Sequence, residues 1–170
     1  MSRMAEALVQ ELAMEAATTR RVLERIPDAQ LAYRPAAKSR TLGELALHIA
    51  MTPGMVAGLA RNNPAQLPDF SGGDPAPATT AEVVAALDKS IADATSIVGA
   101  MDDATLTETW RVTAGGQPIM ALPRVAFLRS IMLNHWYHHR GQLSVYLREL
   151  EIPVPSIYGP SADENPFAAH

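Results

Sequence analysis

Two histidines near the C-terminal end of the chain, His135 and His139, are four residues apart in a stretch whose pattern predicts a helix. Residues at this spacing lie on one helix face, about 5–6 Å apart at Cβ, so that both imidazoles can bind one metal ion. Both belong to an apolar seam of the kind that packs into a bundle core. The other members of this seam are Leu128, Met132, Leu143, Tyr146 and Leu150. Because a buried polar group needs a hydrogen-bond partner or a metal, the pair predicts a metal site in a helical bundle.

A third histidine, His48, is predicted to lie on the inward stripe of another helix. Three neutral imidazoles and a water form the ligand set of catalytic zinc sites, and nickel accepts the same ligands. Such an ion lowers the pKa of bound water towards about 7 and so creates a nucleophile or a base. His138 is also adjacent to His135 and could replace His139 in this set, although His139 is the residue that continues the seam. The fifth histidine, His170, is the last residue.

Polar residues near the histidine pair could support a bound ion, and four lie within about two helical turns. These are Asn134, Tyr137, Arg140 and Gln142. Asp163 and Glu164 of the C-terminal tail could also reach the ion, although a solvated tail is the simpler interpretation. No glutamate adjoins the pair, so the His-Glu-x-x-His pattern of metalloproteases is absent. A hydrogen-bonded core cluster without metal is the alternative explanation of the histidines.

Four helices are predicted to position these residues. Helical periodicity places the first from Ser2 to Ile26, the second from Thr41, the third from Thr79 or Thr80, and the last from Leu122 to Leu150. They indicate an all-α fold, an up-and-down four-helix bundle with one long connection. Residues 1–170 are expected to form one domain, with an extended tail, residues 151–170, packed on it.

Turn-forming residues mark the connections between these helices. Residues 61–78 contain four prolines and two glycines, which predicts the long connecting loop. Gly115-Gly116 lies between two short runs within residues 102–120 and predicts a hairpin before the last helix. Thr41-Leu42-Gly43-Glu44 is a capping box, whereas Pro53-Gly54 should kink the second helix or end it early.

Composition excludes several classes of function. The chain has no cysteine, so disulfides, thiolate nucleophiles and cysteine-based zinc sites are excluded. Its net charge of −4 gives no general attraction to nucleic acid or to anionic lipid. The first residues do not have the pattern of a signal peptide, and no apolar run approaches the roughly 20 residues that span a bilayer. We therefore expect a cytoplasmic protein that binds neither nucleic acid nor membrane.

The motif around the histidine pair resembles a known family. The run His135-Trp-Tyr-His-His139-Arg-Gly-Gln-Leu-Ser-Val-Tyr-Leu-Arg148, together with Val154 to Glu164, closely resembles the DinB/YfiT-like family of damage-inducible metalloproteins. The segment from Lys38 to His48 and the Gly115-Gly116 turn before Pro123-Arg124 are also similar to it. The resemblance implies a four-helix bundle and a homodimer. It also implies one divalent ion, nickel or zinc, bound by His48, His135 and His139.

The resemblance also implies an activity. Some members of the family are S-transferases that use the metal to activate a low-molecular-weight thiol such as mycothiol or bacillithiol, and others are maleylpyruvate isomerases. We therefore expect a metal-dependent enzyme in which such a thiol, or water, attacks a small-molecule substrate in detoxification or stress response. The alternative is a non-catalytic, stress-responsive metal-binding module, in which exposed aromatic residues such as Trp136 bind a partner.

Overall fold

The computed structural model describes residues 1–69, 72 and 75–168. The helices are α1 (Arg3–Leu23), α2 (Leu42–Ala60), α3 (Thr80–Gly99), α4 (Asp103–Thr107), α5 (Arg124–Phe127) and α6 (His135–Glu149). The strands are β1 (Ala65–Gln66), β2 (Thr109–Ala114) and β3 (Gln117–Pro123). A short 3₁₀ turn, Asp28–Gln30, follows α1, and a π-helix, Leu128–Asn134, joins α5 to α6.

Side-chain caps determine where the long helices begin. The Thr41 hydroxyl accepts a hydrogen bond from the Glu44 amide (3.1 Å), and the Glu44 carboxylate accepts one from the Thr41 amide (2.7 Å). This reciprocal pair satisfies two backbone donors at the start of α2 and confirms the predicted capping box. Ser2 and Thr79 cap α1 and α3 in the same way, with their side chains accepting from an amide three residues later.

The core lies between the long helices. Helix α2 packs against α3, against α6 and against the π-helix, while α1 packs against α3. Fully buried aliphatic side chains from each of these elements fill the space between them. They include Leu12, Leu45, Ile49, Leu87, Met132 and Leu143. The predominance of helix is therefore confirmed.

A three-stranded sheet shows that the all-α prediction is wrong in part. Strand β2 pairs with β3 in an antiparallel arrangement and with β1 in a parallel one. The predicted hairpin turns at Gly115 and Gly116, whose φ angles of +55° and +79° suit glycine. Strand β1 lies within the stretch predicted to be loop. It is aligned by Asn63, whose side chain accepts a hydrogen bond from the Arg111 amide (3.0 Å) and donates one to the Thr109 carbonyl (2.9 Å).

The last helical stretch begins later than predicted. Leu122 and Pro123 pair with β2 as part of β3, so helix starts at Arg124 and not at Leu122. The predicted single helix is also interrupted by the π-helix. Helix α4, a single turn that begins at Asp103, lies in a stretch where no helix was predicted.

Helix α2 continues through Pro53 to Ala60, so the predicted early end is wrong. Proline removes one backbone donor and disturbs the preceding turn. Ser90 of α3 compensates for this, because its hydroxyl accepts a hydrogen bond from the Gly54 amide (2.8 Å) and donates one to the Met51 carbonyl (3.1 Å). A β-carbon on Gly54 would lie 3.0 Å from three atoms of Ser90. Glycine therefore permits this close approach of the two helices.

By length and composition alone, α2 is apolar enough to cross a membrane, although the sequence analysis predicted no such run. The structure buries 56% of the apolar window of this helix. This burial is what is expected of the central helix of a bundle.

The C-terminal tail is bonded to α1 and to the end of α6. The Arg21 guanidinium donates to the Ser156 carbonyl (2.8 Å), and Arg148 forms an ion pair with Asp163 (2.6 Å). Glu164 pairs with Arg25 and accepts a hydrogen bond from the Ser156 amide (2.9 Å). Asp163 and Glu164 are therefore both engaged by the tail itself and by the bundle.

Candidate metal centre

Three histidine side chains from two helices converge at one point. The Nε2 atom of His135 lies 3.2 Å from Nε2 of His48 and 3.1 Å from Nε2 of His139. Ligand atoms of all three residues lie within 4.8 Å of one another. The structure therefore brings together the three residues that the sequence analysis selected.

The helices explain this convergence. His48 is carried by α2, which packs directly against α6. His135 is the first residue of α6, and its amide donates to the carbonyl of Ser130 five residues earlier, as in a π-helix. His139 follows one turn later on the same face. The two imidazoles of α6 thus point towards the one supplied by α2.

Gln142 determines which nitrogen of His139 faces the cluster. The Gln142 side-chain oxygen lies 2.7 Å from Nδ1 of His139, so Nδ1 carries the proton and donates to it. The Nε2 atom is then left with a lone pair directed at His135. This is the tautomer that a metal ligand requires, held by the kind of hydrogen bond that commonly orients such ligands.

Burial lowers the pKa of His135 and of His139 and so favours their neutral forms. His139 is only 7% exposed, and burial lowers its pKa to about 4, helped by the nearby His135, His48 and His138 and opposed by the hydrogen bond to Gln142. Burial is also the main reason why the pKa of His135 is lowered, with further electrostatic contributions from His138 and Arg40. Neutral imidazoles are the form that binds metal ions.

The donor arrangement fits a metal ion. An ion with bonds of about 2.0–2.1 Å and tetrahedral angles holds its ligand nitrogens roughly 3.3–3.4 Å apart. The two closest nitrogen pairs, at 3.1 and 3.2 Å, are near this separation. Neutral imidazoles at such distances would otherwise have to share protons or oppose their lone pairs. The cluster therefore fits one small divalent cation.

His138 lies next to this cluster but does not belong to it. Its side chain is exposed, and the ligand atoms that converge within 4.8 Å are those of His48, His135 and His139. His170 lies outside the described residues.

Of the four polar neighbours predicted to support the ion, only Gln142 contacts a histidine of the cluster among the bonds that the structure shows. Tyr137 donates to Glu11 (2.8 Å), and Arg140 forms an ion pair with Glu15 (2.7 Å). Asn134 is exposed. The tail carboxylates of Asp163 and Glu164 have the partners described above, and neither belongs to the cluster.

A cleft of about 710 Å³ opens beside His139 and Gln142. Its walls include Tyr146 of α6, Glu44 of α2 and three basic residues from the segment before α2. These basic residues are Arg34, Lys38 and Arg40. The sequence analysis gave this segment no functional role. The signal that could have found it is three basic residues without an acid between them, immediately before a helix that carries a candidate ligand.

A comparison with known protein families identifies the chain. Residues 1–166 match the family model of the DinB family. The chain belongs to the DinB family. The resemblance to DinB and YfiT-like proteins that the sequence motifs indicated is therefore confirmed.

A sequence relative and a solved structure both resemble this chain along most of its length. YrdA of Bacillus subtilis (strain 168), named an uncharacterized protein, is 31% identical over 157 residues, which cover 88% of this chain and 85% of YrdA. A DinB-like protein from Bacillus cereus ATCC 10987 has a solved structure with a TM-score of 0.71 and 24% identity, covering 90% of this chain and 97% of that one. At this identity, the similarity shows a shared fold.

A further solved structure of this family is YfiT from Bacillus subtilis, described as a probable metal-dependent hydrolase with an unusual four-helix bundle topology. It matches with a TM-score of 0.65 and 16% identity, covering 90% of this chain and 91% of YfiT. The four-helix element of the predicted fold agrees with this relative, and strand β1 is the part of the sheet that was not predicted.

Trp136, which the sequence analysis offered as an exposed docking residue, is fully buried. Trp136 follows His135 in α6, and its side chain packs on the side of the helix that faces the core. Trp136 is therefore part of the core of this DinB protein, and the suggestion that it binds a partner is wrong.

Proposed function

We propose that His48, His135 and His139 bind one divalent ion, nickel or zinc, and that the protein is a metal-dependent enzyme acting on a small molecule. The observation that carries this proposal is the convergence of three Nε2 atoms next to an open cleft. Three protein ligands leave at least one coordination position for a small molecule. The description of YfiT as a probable metal-dependent hydrolase is consistent with it.

When bound, the ion would act as a Lewis acid that lowers the pKa of a thiol or of water. The residues of the chain prepare the site for this role. Gln142 holds the His139 ring in the tautomer whose Nε2 is free, and burial lowers the pKa of His135 and of His139, which favours neutral imidazoles. The cleft beside His139 gives a small molecule access from solvent.

We propose thiol transfer as the reaction, with a low-molecular-weight thiol as the nucleophile and an electrophilic small molecule as the acceptor, in detoxification or stress response. Hydrolysis is the second candidate, and the description of YfiT as a probable metal-dependent hydrolase favours it. Both reactions use the same site and differ only in whether sulfur or water oxygen attacks.

The non-catalytic binding module stays as the competing proposal from a different class. The cleft favours the enzyme, because a purely structural or storage site needs no cavity of about 710 Å³ beside its ligands. The burial of Trp136 removes one surface that the module would have used. The expected homodimer and cytoplasmic location are further proposals, which sedimentation velocity and cell fractionation would check.

The metal site can be tested by measuring bound metal in purified protein after loading with nickel or zinc and removal of excess ion. We expect about one ion per chain in the wild type, a large loss in His135→Ala, and retention in His138→Ala, which changes an exposed neighbour on the same helix. Equal and negligible metal in all three proteins would overturn the site.

The reaction can be tested with the loaded wild type. A panel of thiols with one reactive acceptor, run beside a panel of activated esters and amides, distinguishes thiol transfer from hydrolysis. Turnover that disappears in His135→Ala supports an enzyme. Loaded protein that is inactive in both panels would favour the binding module.

A further inference from the structure

The segment Arg34 to Arg40, which we call the basic loop, borders the cleft beside the histidine cluster. It contains Arg34, Lys38 and Arg40 and no acidic residue. The whole chain has 14 arginines and lysines against 18 aspartates and glutamates, for a net charge of −4. Positive charge is therefore concentrated at this cleft in a protein that is acidic as a whole.

The basic loop is bound to both helices that carry the histidines. At its base, the Leu42 amide of α2 donates to the Tyr33 carbonyl (2.8 Å). The Tyr146 hydroxyl of α6 donates to the Arg40 carbonyl (3.3 Å). These bonds hold the two ends of the loop against α2 and α6, and its basic side chains line the cleft beside His139.

Among the described residues that line the cleft, Glu44 is the one acid beside the three basic residues. Its carboxylate is already engaged, because it pairs with Arg34 (3.2 Å) and accepts from the Thr41 amide in the capping box. The charged residues of the lining therefore sum to +2, from three positive and one negative group. A cleft lined by charge of one sign concentrates ligands of the opposite sign.

We propose that the small molecule bound at this site carries a carboxylate or phosphate group, which binds to the basic loop while its reacting end lies at the histidines. Guanidinium and ammonium groups bind both kinds of oxyanion. The statement about the reacting end rests on the proposed function. The anion subsite itself does not, because its residues bind no metal.

Lys38 is the residue best suited to a test, since it is exposed and forms no ion pair with the described residues. Succinate and inorganic phosphate, as separate probes, would be titrated calorimetrically at low salt into zinc-loaded and into metal-free protein. Lys89→Glu is the matched control, because it makes the same change of net charge on α3, away from the cleft.

We expect saturable binding of at least one probe to the wild type in both forms. Lys38→Glu should weaken it about tenfold, because this variant replaces the attraction of one exposed charge with repulsion. Lys38→Arg and Lys89→Glu should stay within about twofold of the wild type. Binding of succinate alone assigns a carboxylate, and binding of phosphate alone assigns a phosphate.

Two results would overturn the inference: no saturable binding of either probe to the wild type, or equal weakening by Lys38→Glu and Lys89→Glu. Metal content measured in the same samples separates this outcome from a failure of the proposed function. Intact metal binding without anion binding overturns only the anion subsite. If the protein retains no metal after loading but still binds the anion, only the metal centre is overturned.

Discussion

Replacing Gly54 by alanine tests how α2 is held against α3. The added β-carbon would lie 3.0 Å from the Cα, O and Oγ atoms of Ser90. Two of these are backbone atoms of α3, which cannot move aside as the end of a flexible side chain can. The helices must therefore separate, or the hydrogen bond from the Gly54 amide to the Ser90 hydroxyl must lengthen.

Gly58, one turn later on the same helix, provides a matched control. A β-carbon there would meet no atom within 4 Å, apart from its own local helix and chain neighbours. Alanine in place of glycine in a helix stabilises it by up to about 1 kcal/mol, and this gain applies at both positions. Overpacking at Gly54 should add a cost of about 1–3 kcal/mol. We therefore expect the two variants to differ in free energy of unfolding by about 2 kcal/mol.

Urea unfolding followed by circular dichroism would measure this difference. We expect Gly54→Ala to be less stable than the wild type and Gly58→Ala to be equally or more stable. If both variants were stabilised by the same amount, the close approach of α2 and α3 at Ser90 would not limit the packing, and the reasoning would be refuted.

Three further predictions concern the site and the tail. In metal-free protein, the free energy of unfolding should fall by about 2 kcal/mol between pH 7.5 and pH 5. The pKa of His139 is about 4 in the folded protein and about 6.5 in the unfolded chain, so the unfolded chain binds an extra proton as the pH falls. Urea unfolding should show a smaller fall in His139→Gln, and an equal fall would contradict the assignment. A chelator should lower the melting temperature of loaded wild type but not of His135→Ala. An ion at about 1,000 times its Kd raises the free energy of unfolding by about 4 kcal/mol. An unchanged melting temperature of the wild type would argue for a core cluster without metal. Arg140→Met should lower the free energy of unfolding by about 3–5 kcal/mol, because it leaves Glu15 without its buried partner. A decrease below about 1 kcal/mol, as for an exposed ion pair, would show that the pair is solvated.

The histidine cluster was predictable from sequence because helical periodicity fixes which residues share a face. His135 and His139 share a face by spacing, and His48 occupies an apolar stripe of the second helix. The capping box at Thr41 likewise depends only on residues three apart. Local rules of this kind need no knowledge of the rest of the fold.

Features that depend on distant partners were missed. Strand β1 has two residues, too few for an alternating pattern, and exists because β2 and Asn63 provide its hydrogen bonds. The continuation of α2 through Pro53 depends on Ser90, 37 residues later in the chain. The cleft beside His139 is similar, because its basic wall comes from a loop more than 90 residues away in sequence.

The π-helix before His135 takes up one extra residue within an otherwise continuous helical stretch. An α-helix turns by about 100° per residue, and a π turn holds one residue more than an α turn. The seven residues Leu128–Asn134 therefore cover about the rotation that six residues of α-helix would cover. Deleting one of them should let the segment close as α-helix, and the histidine face would then keep its orientation relative to the residues upstream.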